Sequence, residues 1–247
     1  MICRINISAR VFLLCLGLKG LLVGMPVMAQ VAGREAFSEK KVLQSARQQQ
    51  MPQDSLTGYE KGHEWIDLGL SVKWATCNVG AGSPEEPGGL YAWGETHVKS
   101  NYYWSNCFDC LDSTGDHWNM YRTDGRKCIS PSDGHDAARR NWGGSWRMPT
   151  REELQELYSL CSWRWNAEDG VYGYTVMGPN GRSIYLPCGG IGFQADYYLT
   201  DVIGSYWSST LSTTWSGYAY YLGFTGGGYY IDDYSRNTGR NIRPVMD

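Results

Sequence analysis

The sequence predicts an α+β domain in which two short helices sit among antiparallel sheets and long loops. Three observations carry that reading. Only two stretches, around 136–142 and 150–161, show helical spacing between a capping residue and a stop. After the second of them, short runs alternate with period two and are separated by Gly, Pro and Asn. Between and before these lie loops dense in Trp and Tyr that no period organises.

The chain has 247 residues. Arg4 and Arg10 precede an apolar run over 11–23, and Val27-Met28-Ala29 offers small residues where a signal peptidase cuts. Residues 1–29 are therefore expected to be a cleaved export signal, which places the mature protein in the periplasm, on the cell surface or outside the cell. Residues 30–62 are polar, with Gln48-Gln49-Gln50 and few large apolar groups, and read as a spacer with at most a weak helix over 34–50. Aromatics and glycines dominate from Trp65 onward. One domain over 63–247 follows, of ordinary size for a single core.

Within that domain "EWIDLGLSVKWATCNVG" alternates in two strand-like runs and leads into the loop "AGSPEEPGG". Residues 92–131 hold Trp93, Trp104, Trp118 and many turn formers, and predict a long packed loop region. Asp136 to Trp142 predicts a short helix stopped by Gly143-Gly144. Thr150 with Glu153 three residues later forms a capping box for a second helix, which places Leu154, Leu157, Tyr158 and Cys161 on one face. Trp142 and Trp146 flank the glycine turn, where burial of their rings would set the angle between the helices. Arg147 is expected to be either solvent-facing or one half of a buried ion pair, with Glu95 as its candidate partner.

The strands come last. "GYTVMGPNGRSIYLP" predicts a hairpin, Tyr174 to Met177 and Ser183 to Leu186 about Pro179-Asn180-Gly181. "YWSSTL", "GYAYYLGF" and "YYIDD" follow, with Gly226-Gly227-Gly228 between the last two. In the middle run Tyr218, Tyr220, Leu222 and Phe224 are expected on one face and Ala219, Tyr221 and Gly223 on the other. "NIRPV" predicts a closing edge strand, since Pro244 has no amide proton to donate.

Charge and motifs narrow the function. Loss of residues 1–29 removes Arg4, Arg10 and Lys19, leaving 19 basic against 25 acidic residues, net −6. That balance disfavours nucleic acid or an anionic membrane surface as partner, and no membrane span is expected once the signal is cleaved. Six cysteines remain: Cys77, Cys107, Cys110, Cys128, Cys161 and Cys188. In an exported chain, Cys107, Cys110 and Cys128 are candidates for disulfides rather than a metal site, because no second CxxC completes a ligand set. His63, His97, His117 and His135 are scattered without catalytic spacing, and Gly226-Gly227-Gly228 lacks the following helix that a phosphate loop needs. No catalytic residue or cofactor is assigned. Asp232-Asp233 is a candidate calcium pair, without the neighbouring ligand patterns that would make it a site.

At this point "WIDLGLSVKWATCNVGA", "YAWGET", "NWGGSWRMPTREELQEL", "GYTVMGPNGRSIYLP", "YWSST" and "RNTGRNIRPV" together resemble the Fibrobacter succinogenes major paralogous domain family, which is C-type-lectin-like and frequent among exported proteins of gut bacteria. The resemblance runs from Trp65 to Val245, and its most specific pieces are Trp146-Arg147-Met148-Pro149-Thr150 and Ile242-Arg243-Pro244-Val245. It implies a C-type-lectin-like fold with paired N- and C-terminal strands. Trp142, Trp146, Arg147, Thr150, Glu153, Trp207 and Arg243 then belong to the scaffold. Some relatives are targets of diversity-generating retroelements, whose mutated segment precedes the C-terminal strand; the corresponding stretch here is 206–241. The resemblance also raises formylglycine-generating oxidases, which share the architecture, but those need a cysteine pair near the C-terminus and none follows Cys188.

The function expected from all this is an exported or cell-surface adhesin- or receptor-like binding module rather than an enzyme. Residues 206–234 hold ten aromatics, seven of them Tyr, and only two charges among Ser, Thr and Gly, the chemistry of adaptable recognition. Trp207 and Phe224 are expected in the core. Trp215, Tyr218, Tyr221, Tyr229, Tyr230, Asp232, Asp233 and Tyr234 are expected to face a protein or glycan ligand. The alternatives are an exported hydrolase or formylglycine-generating-like enzyme using the Cys107–His135 loops, or a structural subunit of a surface assembly.

Overall fold

The computed structural model describes residues 56–107, 128–168, 170–215 and 217–247. Every described residue belongs to one compact unit, Gln48–Asp247. The expected export signal, the helix over 34–50, most of the spacer, Cys110 and His117 lie outside the described residues.

This unit is α+β, with mostly antiparallel sheets and two short helices. Its first sheet has the order β1 (Thr57–Glu60), β2 (His63–Asp67), β3 (Lys73–Ala75), β12 (Val245–Met246). The C-terminal strand thus joins the sheet of the first three described strands, with Val245 opposite Trp74 and the Ala75 amide donating to the Pro244 carbonyl at 2.9 Å. The spacer boundary at residue 62 needs correction. β1 pairs with β2 from Thr57 opposite Ile66 to Glu60 opposite His63, so the fold begins before residue 63. The strand is polar in sequence, and backbone pairing holds it.

The helices follow their caps. α1 (Ala137–Trp142) starts at Asp136, whose carboxylate accepts the Arg139 amide at 2.9 Å, and stops at Gly143 and Gly144, both with positive φ (72° and 58°). Only glycine holds that conformation at little cost. α2 (Arg151–Leu160) opens on the predicted box: the Glu153 amide donates to Thr150 Oγ1 at 3.2 Å and the Thr150 amide to Glu153 Oε2 at 2.8 Å. Leu154 and Leu157 are buried, whereas Tyr158 is exposed and Cys161 is half-buried just past the helix end.

Between the helices Trp146 is fully buried and packs edge-to-face on Trp142, with centroids 5.1 Å apart. Its indole N–H donates to the Glu60 carbonyl at 2.8 Å, and His63 stacks on Trp142 at 3.7 Å. The glycine turn is therefore bolted to the β1–β2 hairpin. Arg147 does not pair with Glu95. Its guanidinium forks onto Glu153 at 2.9 and 2.7 Å and reaches Asp247 at 2.7 Å, contacts that hold its proton more firmly than usual. Glu95 instead pairs with Lys99 at 2.8 Å, one turn of chain away.

Three further sheets complete the unit among the described residues: β4 (Ser162–Glu168), β5 (Val171–Met177), β6 (Ser183–Pro187); the two-stranded β7 (Ile191–Phe193), β8 (Asp196–Tyr198); and β11 (Gly228–Ser235), β10 (Tyr218–Thr225), β9 (Ile203–Leu211) in that order. The β9–β10 pair is a wall between two apolar clusters. Trp207, Ala219 and Tyr221 pack toward α1, Trp93, Trp146 and Met148. Tyr206, Leu222 and Phe224 pack toward α2, Trp74 and the β5–β6 hairpin.

A bulge interrupts the wall where Ser208, Ser209 and Thr210 face Tyr220. Ser208 Oγ donates to the Tyr220 carbonyl at 2.8 Å and accepts the Thr210 amide at 3.1 Å, while the Ser209 amide turns out to the Pro149 carbonyl at 2.7 Å. The Ser208 hydroxyl and the Pro149 carbonyl thus replace ladder bonds that the bulge forfeits. Arg243 works in the same way at the C-terminus. Buried within the fold, it donates to Asn78 Oδ1 at 2.8 Å, to the Tyr185 carbonyl at 2.7 Å, to the Ala75 carbonyl at 3.0 Å and to the Thr76 carbonyl. One guanidinium so joins β3, β6 and the closing segment through acceptors that would otherwise be buried and unmet.

Candidate functional site

The hairpin of β10 and β11 turns at Gly226-Gly227, and every residue from Tyr218 to Thr225 has a partner on β11. β11 is an outer strand of its sheet, and alternation along it separates two environments. Tyr230, Asp232 and Tyr234 point to one side and are exposed; both tyrosines keep 43% of their surface. Beneath them, on the same side of β10, Gly223, Tyr221 and Ala219 stand opposite in register. Tyr221 is 7% exposed, which corrects its expected place on the surface. It forms the floor, its ring edge-on to Tyr230 at 6.0 Å and to Trp207 at 6.1 Å. Its phenol is pushed up from its ordinary value, chiefly by burial.

Under that floor lies Arg240, fully enclosed. Its guanidinium centre is 3.8 Å from the Tyr221 ring, 4.7 Å from Trp207 and 5.2 Å from Tyr234, and it donates to Ser205 Oγ. Burial lowers its proton affinity, while the neighbouring Tyr221, Tyr230, Tyr234 and Asp232 oppose that shift. Three ring faces, rather than a carboxylate, solvate this cation. The arrangement clamps the Tyr221 and Tyr234 rings from behind. Sequence reasoning assigned Arg240 no role. It carries no local signal, because its partners come from β9, β10 and β11.

The other side of β11 faces inward, which corrects Tyr229 and Asp233. Tyr229 stacks on Trp163 at 4.3 Å and meets Tyr158 edge-on at 5.3 Å, so it belongs to the α2 side of the core. Asp233 is half-buried and accepts from Ser212 Oγ, the same hydroxyl that receives the Thr214 and Trp215 amides at 3.0 Å each. This ties down the β9–β10 connection and leaves Trp215 at its tip, 61% exposed. Tyr218 is half-buried, 5.9 Å from Tyr234. Tyr220 also went unassigned in the sequence; it sits under the Arg151 guanidinium at 4.3 Å and meets Thr213 Oγ1 at 3.0 Å.

Asp232 and Asp233 therefore open to opposite sides of one strand. Among the described residues, no group of three or more His, Cys, Asp or Glu side chains is placed to hold a metal ion. In the loop region Cys107 is buried, whereas Cys128 is an exposed free thiol. Cys128 thus leaves the set of disulfide candidates, and its strand bridge to Thr210 holds it against β9. Cys77, Cys161 and Cys188 are free as well. Among the described residues no helix is long and apolar enough to cross a membrane.

What the fold and the site define is an α+β domain presenting a clamped aromatic row on an edge strand. No protein-family model matches the chain, and no curated protein or solved structure matches it either.

Proposed function

We propose that the protein is an exported or cell-surface binding module of C-type-lectin-like kind that takes a protein or glycan ligand on the outer side of β11. The observation that carries the reading is the row Tyr230, Asp232, Tyr234. Two rings and a carboxylate stand exposed, while a buried cation and the Tyr221 ring hold their base in place. Rings that are already ordered lose little entropy on binding, and a carboxylate between them offers a directional acceptor. Sugar faces and apolar side chains both stack on such rings. Trp215, on the neighbouring connection, adds a further exposed ring. In this reading the leader over 1–29 is removed on export. If residues 206–241 are diversified, changes tolerated by the fold fall on the exposed positions, since Trp207, Phe224, Arg240 and Asn241 are buried.

Screening the chain from Gln30 onward on glycan and immobilised-protein arrays tests this, with Tyr230→Ala and the Tyr230→Ala/Tyr234→Ala pair run beside it. A ligand should be found whose affinity falls by about thirtyfold or more in the paired variant, the loss expected from removing a hot-spot ring. A ligand held equally by all three proteins would place the binding site elsewhere.

A further inference from the structure

We propose a second, separate site: a cleft of about 550 Å³ between the β2–β3 strands and the β4–β5–β6 sheet that binds a small organic cation bearing hydroxyl groups, an amino alcohol or amino sugar. Its size lies within the range of roughly 300–1,000 Å³ usual for small-ligand sites. It shares no residue with the aromatic row on β11, so either site can fail without the other.

The lining sets the ligand's chemistry. Two carboxylates, Glu64 from β2 and Glu85 from the loop after β3, line the cleft, and no Lys, Arg or His joins them. Neither carboxylate makes an ion pair among the described residues. Two acidic groups with no counter-charge favour a cation there. Two carboxylates and no His or Cys line the cleft, short of the three such groups a metal cluster would bring together, and the acceptors suit an ammonium with its three donors.

The remaining polar groups ask for hydroxyls. Asn166 Nδ2 donates to Thr175 Oγ1 at 2.7 Å, which leaves the Asn166 carbonyl oxygen as an acceptor and the Thr175 hydroxyl as a donor. Thr76 and Ser183 add two more hydroxyls to the lining. Tyr185 lines the same cleft, and its Oη is buried without a hydrogen-bond partner. Burial first, then Cys188 and Glu85, push that phenol up to about 12, so it stays a neutral donor. Ile66, Val171 and Ile184 supply apolar surface for a carbon skeleton.

Glucosamine is the probe, with N-acetylglucosamine as its uncharged counterpart, titrated into the chain from Gln30 by calorimetry and by ligand-observed NMR. Glucosamine should bind saturably in the millimolar range, as befits so small a ligand. N-acetylglucosamine should bind at least about tenfold more weakly, the worth of a charge-assisted hydrogen bond. Glu64→Gln/Glu85→Gln should weaken glucosamine by about tenfold or more, and Tyr230→Ala should leave it unchanged. Thermal unfolding checks that the pair still folds; if it does not, Glu85→Gln alone, on an exposed loop, should give about a threefold loss. Absence of saturable glucosamine binding, equal binding of the two sugars, or binding indifferent to the carboxylate substitutions would overturn the proposal.

Discussion

Strands β9 and β11 flank β10 in one sheet, and both are rich in Tyr, Ser and Gly, yet they end in opposite conditions. β9 is buried on both sides from Gly204 to Ser209, with Tyr206 in one apolar cluster and Trp207 in the other. β11 alternates residue by residue between half-buried and exposed. The difference does not lie in composition. β9 is the other outer strand of the sheet, but both its faces are covered, by α1 with its neighbouring loops and by α2 with the β5–β6 hairpin. β11 is an edge covered on one side only. An aromatic residue on such an edge becomes core or surface by the parity of its position, and a single step along the chain reverses the outcome.

That contrast can be broken by substitution. Trp207→Ala should be the most damaging change, costing about 3–5 kcal/mol as a large buried ring is replaced by a cavity. Chemical denaturation should show it as a lowered midpoint, and a loss below about 1 kcal/mol would mean β9 is not the doubly buried strand. Tyr229→Ala should come next at about 2 kcal/mol, since that ring is stacked on Trp163 but only partly enclosed. Tyr206→Phe keeps the ring and removes only the hydroxyl that donates to the Pro187 carbonyl at 2.6 Å. It should cost about 1–2 kcal/mol by leaving a buried acceptor unmet, with little change in the denaturant slope. Tyr230→Ala, one residue from Tyr229, should shift stability by no more than about 0.5 kcal/mol. If thermal melts show Tyr229 and Tyr230 equally costly, the two sides of β11 are not distinct and the exposed row loses its meaning.

Much of the local structure was legible. The capping box at Thr150 and Glu153, the glycine stop of α1, and the hairpin about Pro179-Asn180-Gly181 all rest on residues within a few positions of one another. Their physics is complete in a short peptide. Trp146 was legible as a buried ring for the same reason, because the turn it flanks is local. The partner of Arg147 was not. Glu153 lies six residues on and Asp247 a hundred, and the choice between these and Glu95 depends on how the C-terminus closes against β3. Strand β1 was missed because nothing in Thr-Gly-Tyr-Glu announces a strand, and its ladder to β2 supplies what its side chains do not.

The candidate site divides along the same line. By itself the sequence determined that residues 206–234 would offer a dense supply of Tyr, Trp, Ser and Gly with little charge, and that Trp207 and Phe224 would be core. Only the tertiary structure decided which of the remaining rings meet solvent. It kept Tyr230, Tyr234 and Trp215 outside, drew Tyr221 down as a floor, turned Tyr229 and Asp233 inward, and set Arg240 beneath the row. Strand alternation tells which residues share a side, but the identity of the covered side follows from what packs against the sheet. Those packing elements, α2 and Trp163 on one side and the closing segment with Arg240 on the other, come from distant parts of the chain. Burial is a property of the assembled neighbours, and no stretch of sequence carries it alone.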